Sequence, residues 1–117
     1  MRSLFTALIF MFMVAPAYAE FKGPGADTAI TEASQVAKAS DDAPCLLTGN
    51  IIEKVAKSDD KYIFRDKSGE IKVEIDHKVF AGRTITPDTE VILKGKVDTK
   101  TMKPNEVDVK ILEIVTK

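Results

Sequence analysis

Cys45 and His77 are the only thiol and the only imidazole in the chain, so they form the one pair with the chemistry of a Cys-His hydrolase. Cys45 opens an apolar stretch, however, where a thiol is expected to be buried and inert. A single Cys makes no intramolecular disulfide, and a single His builds no multi-histidine metal site. Asp66, Ser68 and Glu70 have the alternate spacing of the first ligands of a calcium loop. Ile71 nevertheless occupies the sixth position, where that loop's sharp turn requires Gly, and strand-like rather than helical segments flank it. A hairpin turn accounts for these residues better. Asp76 and His77, with Asp66, are a further candidate metal set, but neighbours on a strand point to opposite faces. No motif surrounds Ser34, Ser40, Ser58 or Ser68. The expectation is a protein that is not an enzyme, with no catalytic residues, no metal and no cofactor.

Composition sets the class of partner. Seventeen Lys and Arg against eighteen Asp and Glu leave a formal charge of -1, which argues against affinity built on neutralising many phosphates. Nucleic acid is not the expected partner. With 44% hydrophobic and 30% charged residues, the 117-residue chain is neither disordered throughout nor fibrous, and it is long enough for one domain.

The first twenty residues carry an address. Arg2 precedes an apolar run from Leu4 to Val14, followed by the helix-breaking Pro16 and by Ala17-Tyr18-Ala19. This is the layout of a secretory signal peptide over residues 1–19, with cleavage expected after Ala19. The run is shorter than the roughly 17 to 25 residues that a spanning helix needs, and no other stretch approaches that length, so the product is not expected to be membrane-spanning. Loss of Arg2 leaves sixteen basic against eighteen acidic groups, a net charge of -2. Export to the periplasm follows as the expected localisation.

These residues must be positioned by the elements that come next. Residues 20–27, punctuated by Gly23, Pro24 and Gly25, read as a flexible N-terminal arm. Ile30, Ala33, Val36 and Ala37 fall at helical spacing, with Thr28 or Thr31 as cap and Glu32 in the first turn, and Asp41-Asp42-Ala43-Pro44 stops the helix. From Cys45 the period changes to two. A first strand runs to Val55 with Gly49 marking a bulge or bend, and a second covers Lys61 to Arg65. A turn at residues 66–70 leads to a third strand from Ile71, in which Gly69 supplies positive φ before Ile71, Val73 and Ile75 alternate with polar residues. One short helical turn is placed at His77 to Phe80. The fourth strand spans Glu90 to Asp98, a polar loop covers Thr99 to Asn105, and Glu106 to Ile114 is the cleanest alternating strand.

One helix and five strands, two with a mid-strand Gly that lets them curl, predict a mainly β protein: a five-stranded OB-fold-like barrel with one short N-terminal helix, residues 28–117. A two-sheet sandwich is the alternative. Such barrels bind ligands across strands two and three, where the sequence offers Tyr62 or Phe64 as a stacking platform, Arg65 and Lys72 for anionic groups, and Glu74 and Asp76 as acceptors. Against this, Ile63 and Phe64 are expected to fill the barrel, and Arg65 to pair with Asp66 or Glu74 at the surface.

The succession Leu47-Thr48-Gly49-Asn50-Ile51, Tyr62-Ile63-Phe64-Arg65-Asp66, Ser68-Gly69-Glu70-Ile71, Val73-Glu74-Ile75-Asp76, Gly95-Lys96-Val97-Asp98 and Glu106-Val107-Asp108-Val109 resembles the bacterial OB-fold (BOF) family of periplasmic proteins, the YgiW/YdeI stress-tolerance type. The resemblance runs through the chain beyond the leader. It implies a small binding domain linked to stress tolerance, recognising a small anionic or saccharide ligand or a cell-envelope component such as peptidoglycan. The alternative is a protein-interaction module that docks on an envelope protein. His77 and Cys45 depart from the residues expected of the family at their positions.

Overall fold

The computed structural model describes residues 29–116; the leader, the arm and Thr28 lie outside them. Five strands, β1 (Pro44–Lys54), β2 (Lys61–Asp66), β3 (Gly69–Ile75), β4 (Glu90–Lys100) and β5 (Lys103–Ile114), close into a barrel in the order β1-β2-β3-β5-β4. Every neighbouring pair is antiparallel except β3 and β5, which run parallel and meet over only Val73 to Ile75 and Val107 to Val109. Closure removes the unpaired edges that an open sheet of these strands would present. The barrel rather than the sandwich is therefore what forms.

Alternation selects the lining. Leu47 and Ile51 of β1, Phe64 of β2, Val73 and Ile75 of β3, Val91, Leu93 and Val97 of β4, and Val107, Val109 and Leu112 of β5 are all buried inside. Phe64 fills the barrel as expected. Ile63 does not: it lies opposite Lys72 on the outer face, because its neighbour's ring has taken the inward position and side chains alternate along a strand.

β5 departs from simple alternation. Gly95 pairs with Val109 while Lys94 pairs with Ile111, so Lys110 is an extra residue that re-phases the strand. Leu112 turns inward and Ile111 is left half exposed. The expected loop from Thr99 to Asn105 is likewise shorter, since β4 continues to Lys100, β5 begins at Lys103, and Pro104 lies within the strand. It can do so because that part of β5 has no strand on its other side, and Pro is tolerated along such an edge. The bulge of β1 falls at Ile52, between Ile51 and Glu53, and not at Gly49.

The N-terminal helix is a 3-10 helix, Ala33–Lys38, rather than an α-helix. Ile30 is not part of it; its backbone forms a parallel bridge to Cys45, accepting from Leu46 N–H at 2.8 Å. Gln35 rather than Thr31 serves the helix start, its Oε1 accepting from the backbone N–H groups of Thr31 and Glu32. Ala33 and Val36 are buried against the barrel, and the helix covers the end where β2 finishes and β3 begins. The predicted short helical turn forms as α1 (His77–Phe80), and it lies at the opposite end with Val79 and Phe80 packed on the core.

Asp66 ties the 3-10 helix down. Its carboxylate accepts from Ala33 N–H at 2.9 Å, from Ser68 N–H at 2.8 Å and from the Ser68 hydroxyl at 2.6 Å. Burial by itself would raise its pKa, but these bonds prevail and hold it below the usual 3.8. A carboxylate with a depressed folded-state pKa adds stability that is present above its unfolded value and is lost as pH falls through the folded one. Thermal melts should thus show an acid limb below about pH 4, and Asp66→Asn should remove part of that limb while costing about 1 kcal/mol at neutral pH. An unaltered limb in the variant would assign acid sensitivity to other carboxylates.

Candidate functional site

The outer face of β2 and β3 carries cross-strand pairs set by their register: Lys61 opposite Glu74, Ile63 opposite Lys72, and Arg65 opposite Glu70. Arg65 is not paired with Asp66 or Glu74. Its Nε and Nη2 both donate to one oxygen of Glu70, at 2.8 and 2.5 Å, in an exposed pair of small energetic worth. Asp66 is turned to the 3-10 helix instead.

A more consequential pair lies where β3 meets β5. The Glu106 carboxylate is buried and accepts a close hydrogen bond from Lys61 Nζ, with Lys100 Nζ 4.0 Å away and Glu74 3.7 Å from the same Lys61. Burial would lower the Lys61 pKa, but the hydrogen bond and charge of Glu106 outweigh it and raise it, so Lys61 stays protonated at neutral pH. Its role is to satisfy a charge that the fold encloses.

Beyond Glu106 the two strands part. β3 from Gly69 to Lys72 and β5 from Lys103 to Glu106 are not paired to each other, and the 3-10 helix crosses the end of the gap. The result is a cleft of about 570 Å³ lined by Ile63, Ile71, Pro104 and Ala37, with Lys72, Lys103, Glu70, Glu106 and Asn105 around it. That volume lies within the roughly 300–1,000 Å³ of small-ligand sites. Both glutamates already have cationic partners. Lys72 and Lys103 have no carboxylate within 4 Å among the described residues.

The five ligand-binding candidates from the sequence are not brought together. Arg65, Lys72 and Glu74 share the outer face, and of these only Lys72 lines the cleft. Tyr62 leans inward at the other end of β2, its ring edge-on to Phe80 at 5.4 Å and 67°, beside a smaller hollow of about 270 Å³. Asp76 caps α1 by accepting from Lys78 N–H at 2.9 Å. The cleft residues that went unnoticed, Ile71, Lys103, Pro104, Asn105 and Glu106, come chiefly from a segment read as loop. The signal for Glu106 was its place one residue before the inward Val107 of an alternating strand, on the side where it meets Lys61.

The rival chemistries are separated by the same topology. Cys45 lies at the 3-10-helix end of the barrel, where its thiol donates to Ala43 O at 3.6 Å, while His77 follows β3 at the far end. Burial pushes the thiol pKa up to about 11, which keeps it protonated at neutral pH, and the thiolate is the nucleophile. Asp66 and Asp76 flank opposite ends of β3, about 20 Å apart along a seven-residue strand. They share no ion. No helix among the described residues is long and apolar enough to cross a membrane.

Comparison with known proteins yields consistent relatives. The family model of the bacterial OB fold (BOF) protein matches residues 14–114. The chain is 36% identical over 109 residues to the calcium-regulated OB-fold protein CarO of Pseudomonas aeruginosa, covering 93% of this chain and 91% of that one. It is 43% identical over 81 residues to protein YgiW of Escherichia coli K12, covering 69% of this chain and 60% of that protein. The solved structure of YgiW from E. coli superposes with a TM-score of 0.68 at 39% identity, covering 78% of this chain and 99% of the other. The telomere capping protein Ten1 of Saccharomyces pombe, at 15% identity and a TM-score of 0.55 over 74% of this chain and 79% of its own, shares the fold alone.

Proposed function

The chain belongs to the bacterial OB-fold (BOF) protein family, and on that premise we propose that it is an exported, non-catalytic binding domain which holds a small anionic ligand or a cell-envelope component in the cleft between β3 and β5. The observation that carries this reading is the pairing of an apolar floor with two lysines, Lys72 and Lys103, that have no carboxylate partner among the described residues. A cation beside a partly desolvated surface gains more from an arriving anion than one fully in water does. The stress-tolerance role and the periplasmic location implied by the family resemblance belong to the same proposal.

The test uses residues 20–117 and two kinds of probe. Cosedimentation with insoluble peptidoglycan examines an envelope component, and amide NMR titration with soluble carboxylates examines a small ligand. Lys72→Glu combined with Lys103→Glu, both exposed positions, should leave the circular dichroism spectrum intact and weaken binding about tenfold or more, with wild-type binding itself falling as salt is raised. Wild-type protein that neither sediments nor shows shifts around the cleft, or a charge-reversed variant that binds equally well, would overturn the reading.

A further inference from the structure

Among the described residues the side-chain donors around the cleft are already committed, apart from those of two lysines, and this narrows the ligand. Asn105 turns its amino group away onto the carbonyls of Val36, Ala37 and Ala39, at 3.0 to 3.3 Å. Glu70 accepts from Arg65, and Glu106 from Lys61. A sugar needs several uncommitted donors and acceptors spread around its ring of hydroxyls, and a nucleobase needs an aromatic face on which to stack. No aromatic side chain lines the cleft among the described residues. What it presents is aliphatic: Ile63 and Ile71 on β2 and β3, Pro104 on β5 and Ala37 on the 3-10 helix. Among the described residues the two side chains there with uncommitted donors are both cations, Lys72 on the β3 side and Lys103 on the β5 side.

We infer that the cleft takes an anionic amphiphile, a flexible aliphatic chain ending in a carboxylate or similar anionic group. The chain lies along the gap between the two strands against Ile63, Ile71 and Pro104, and the head group is held by Lys72 and Lys103. This rests on the reading of the cleft as a binding site and specifies its ligand. Charge complementarity fixes the head, and the aliphatic floor of Ile63, Ile71, Pro104 and Ala37 fixes the body as one that asks for no hydrogen bonds.

The probes are hexanoate, octanoate and decanoate below their micelle concentrations, with glucuronate as the sugar acid of equal charge, each titrated into residues 20–117 and followed by amide NMR. Affinity should rise about two- to fourfold for each added methylene, the lower figure for a half-covered chain and the upper for a fully covered one. The shifts should centre on Ile63, Ile71, Lys72 and Lys103. Ala37→Phe, at an exposed position lining the cleft, should fill it and weaken decanoate about tenfold without lowering Tm. Glucuronate binding as tightly as decanoate, or affinity that does not change with chain length, would overturn this inference while leaving the binding site in place. Absence of shifts at the cleft with every probe would overturn this inference, and the binding-site reading falls with it only if the protein also fails to sediment with peptidoglycan.

Discussion

Phe64→Ala should destabilise the domain by about 3–5 kcal/mol, the cost of emptying a large aromatic site that neighbours cannot collapse to fill. Phe64 is the largest of the fully buried side chains, at 0% exposure. Its ring lies over the neighbouring strand β1, where a Cβ built on Gly49 would sit 2.7 Å from Cζ as well as against the Arg65 carbonyl. The absence of a side chain at Gly49 is what makes room for the ring. For a domain of this size the change lowers Tm by at least about 12 °C, and it takes a large share of the roughly 5–15 kcal/mol that such domains possess. Differential scanning calorimetry on residues 20–117 reads it directly. A loss below about 1 kcal/mol would mean that the interior is not packed around this ring.

Gly95→Ala should cost about 3 kcal/mol for a different reason. Here the obstacle is backbone rather than a movable side chain: a Cβ at position 95 would overlap the Asp108 carbonyl, with its carbon and Val109 Cα both 2.9 Å away. The close approach occurs where Lys110 is the extra residue of β5, so that β4 and β5 press together as the barrel curves. Relief requires the pair to separate at the bulge that sets the phase of Leu112. Denaturant titration should show a lower midpoint with an unchanged m-value. A midpoint equal to that of the wild type would show that the strands can part there without penalty.

Both sites were visible in the sequence as features without being interpretable in detail. Gly49 and Gly95 read as mid-strand glycines that allow curling, which suited a closed barrel, but only the register shows that each admits a neighbouring carbonyl, and Gly49 the Phe64 ring as well. Similarly, Lys61 to Arg65 read clearly as a strand. Which of Tyr62, Ile63 and Phe64 faces inward depends on pairing with β1 and β3, because a shift of one residue exchanges the two faces. The expectation that Ile63 fills the barrel failed on that point, and so did the grouping of Tyr62 and Asp76 with Arg65, Lys72 and Glu74.

The sequence by itself determined the element order, the five strands, the α1 turn, the hairpin at residues 66–70 and membership of a family, because these follow from local periodicity, turn residues and a succession of short motifs. It also made a buried thiol the expectation at Cys45, since its apolar neighbours were adjacent in the chain, and the tertiary structure buries it. The cleft was decided by tertiary structure alone. Ile63, Lys72 and Lys103 come from three strands, and they face one gap only because β3 and β5, far apart in sequence and parallel in the barrel, pair for three residues and then diverge. Where two strands stop pairing is a property of barrel closure, and no local pattern encodes it.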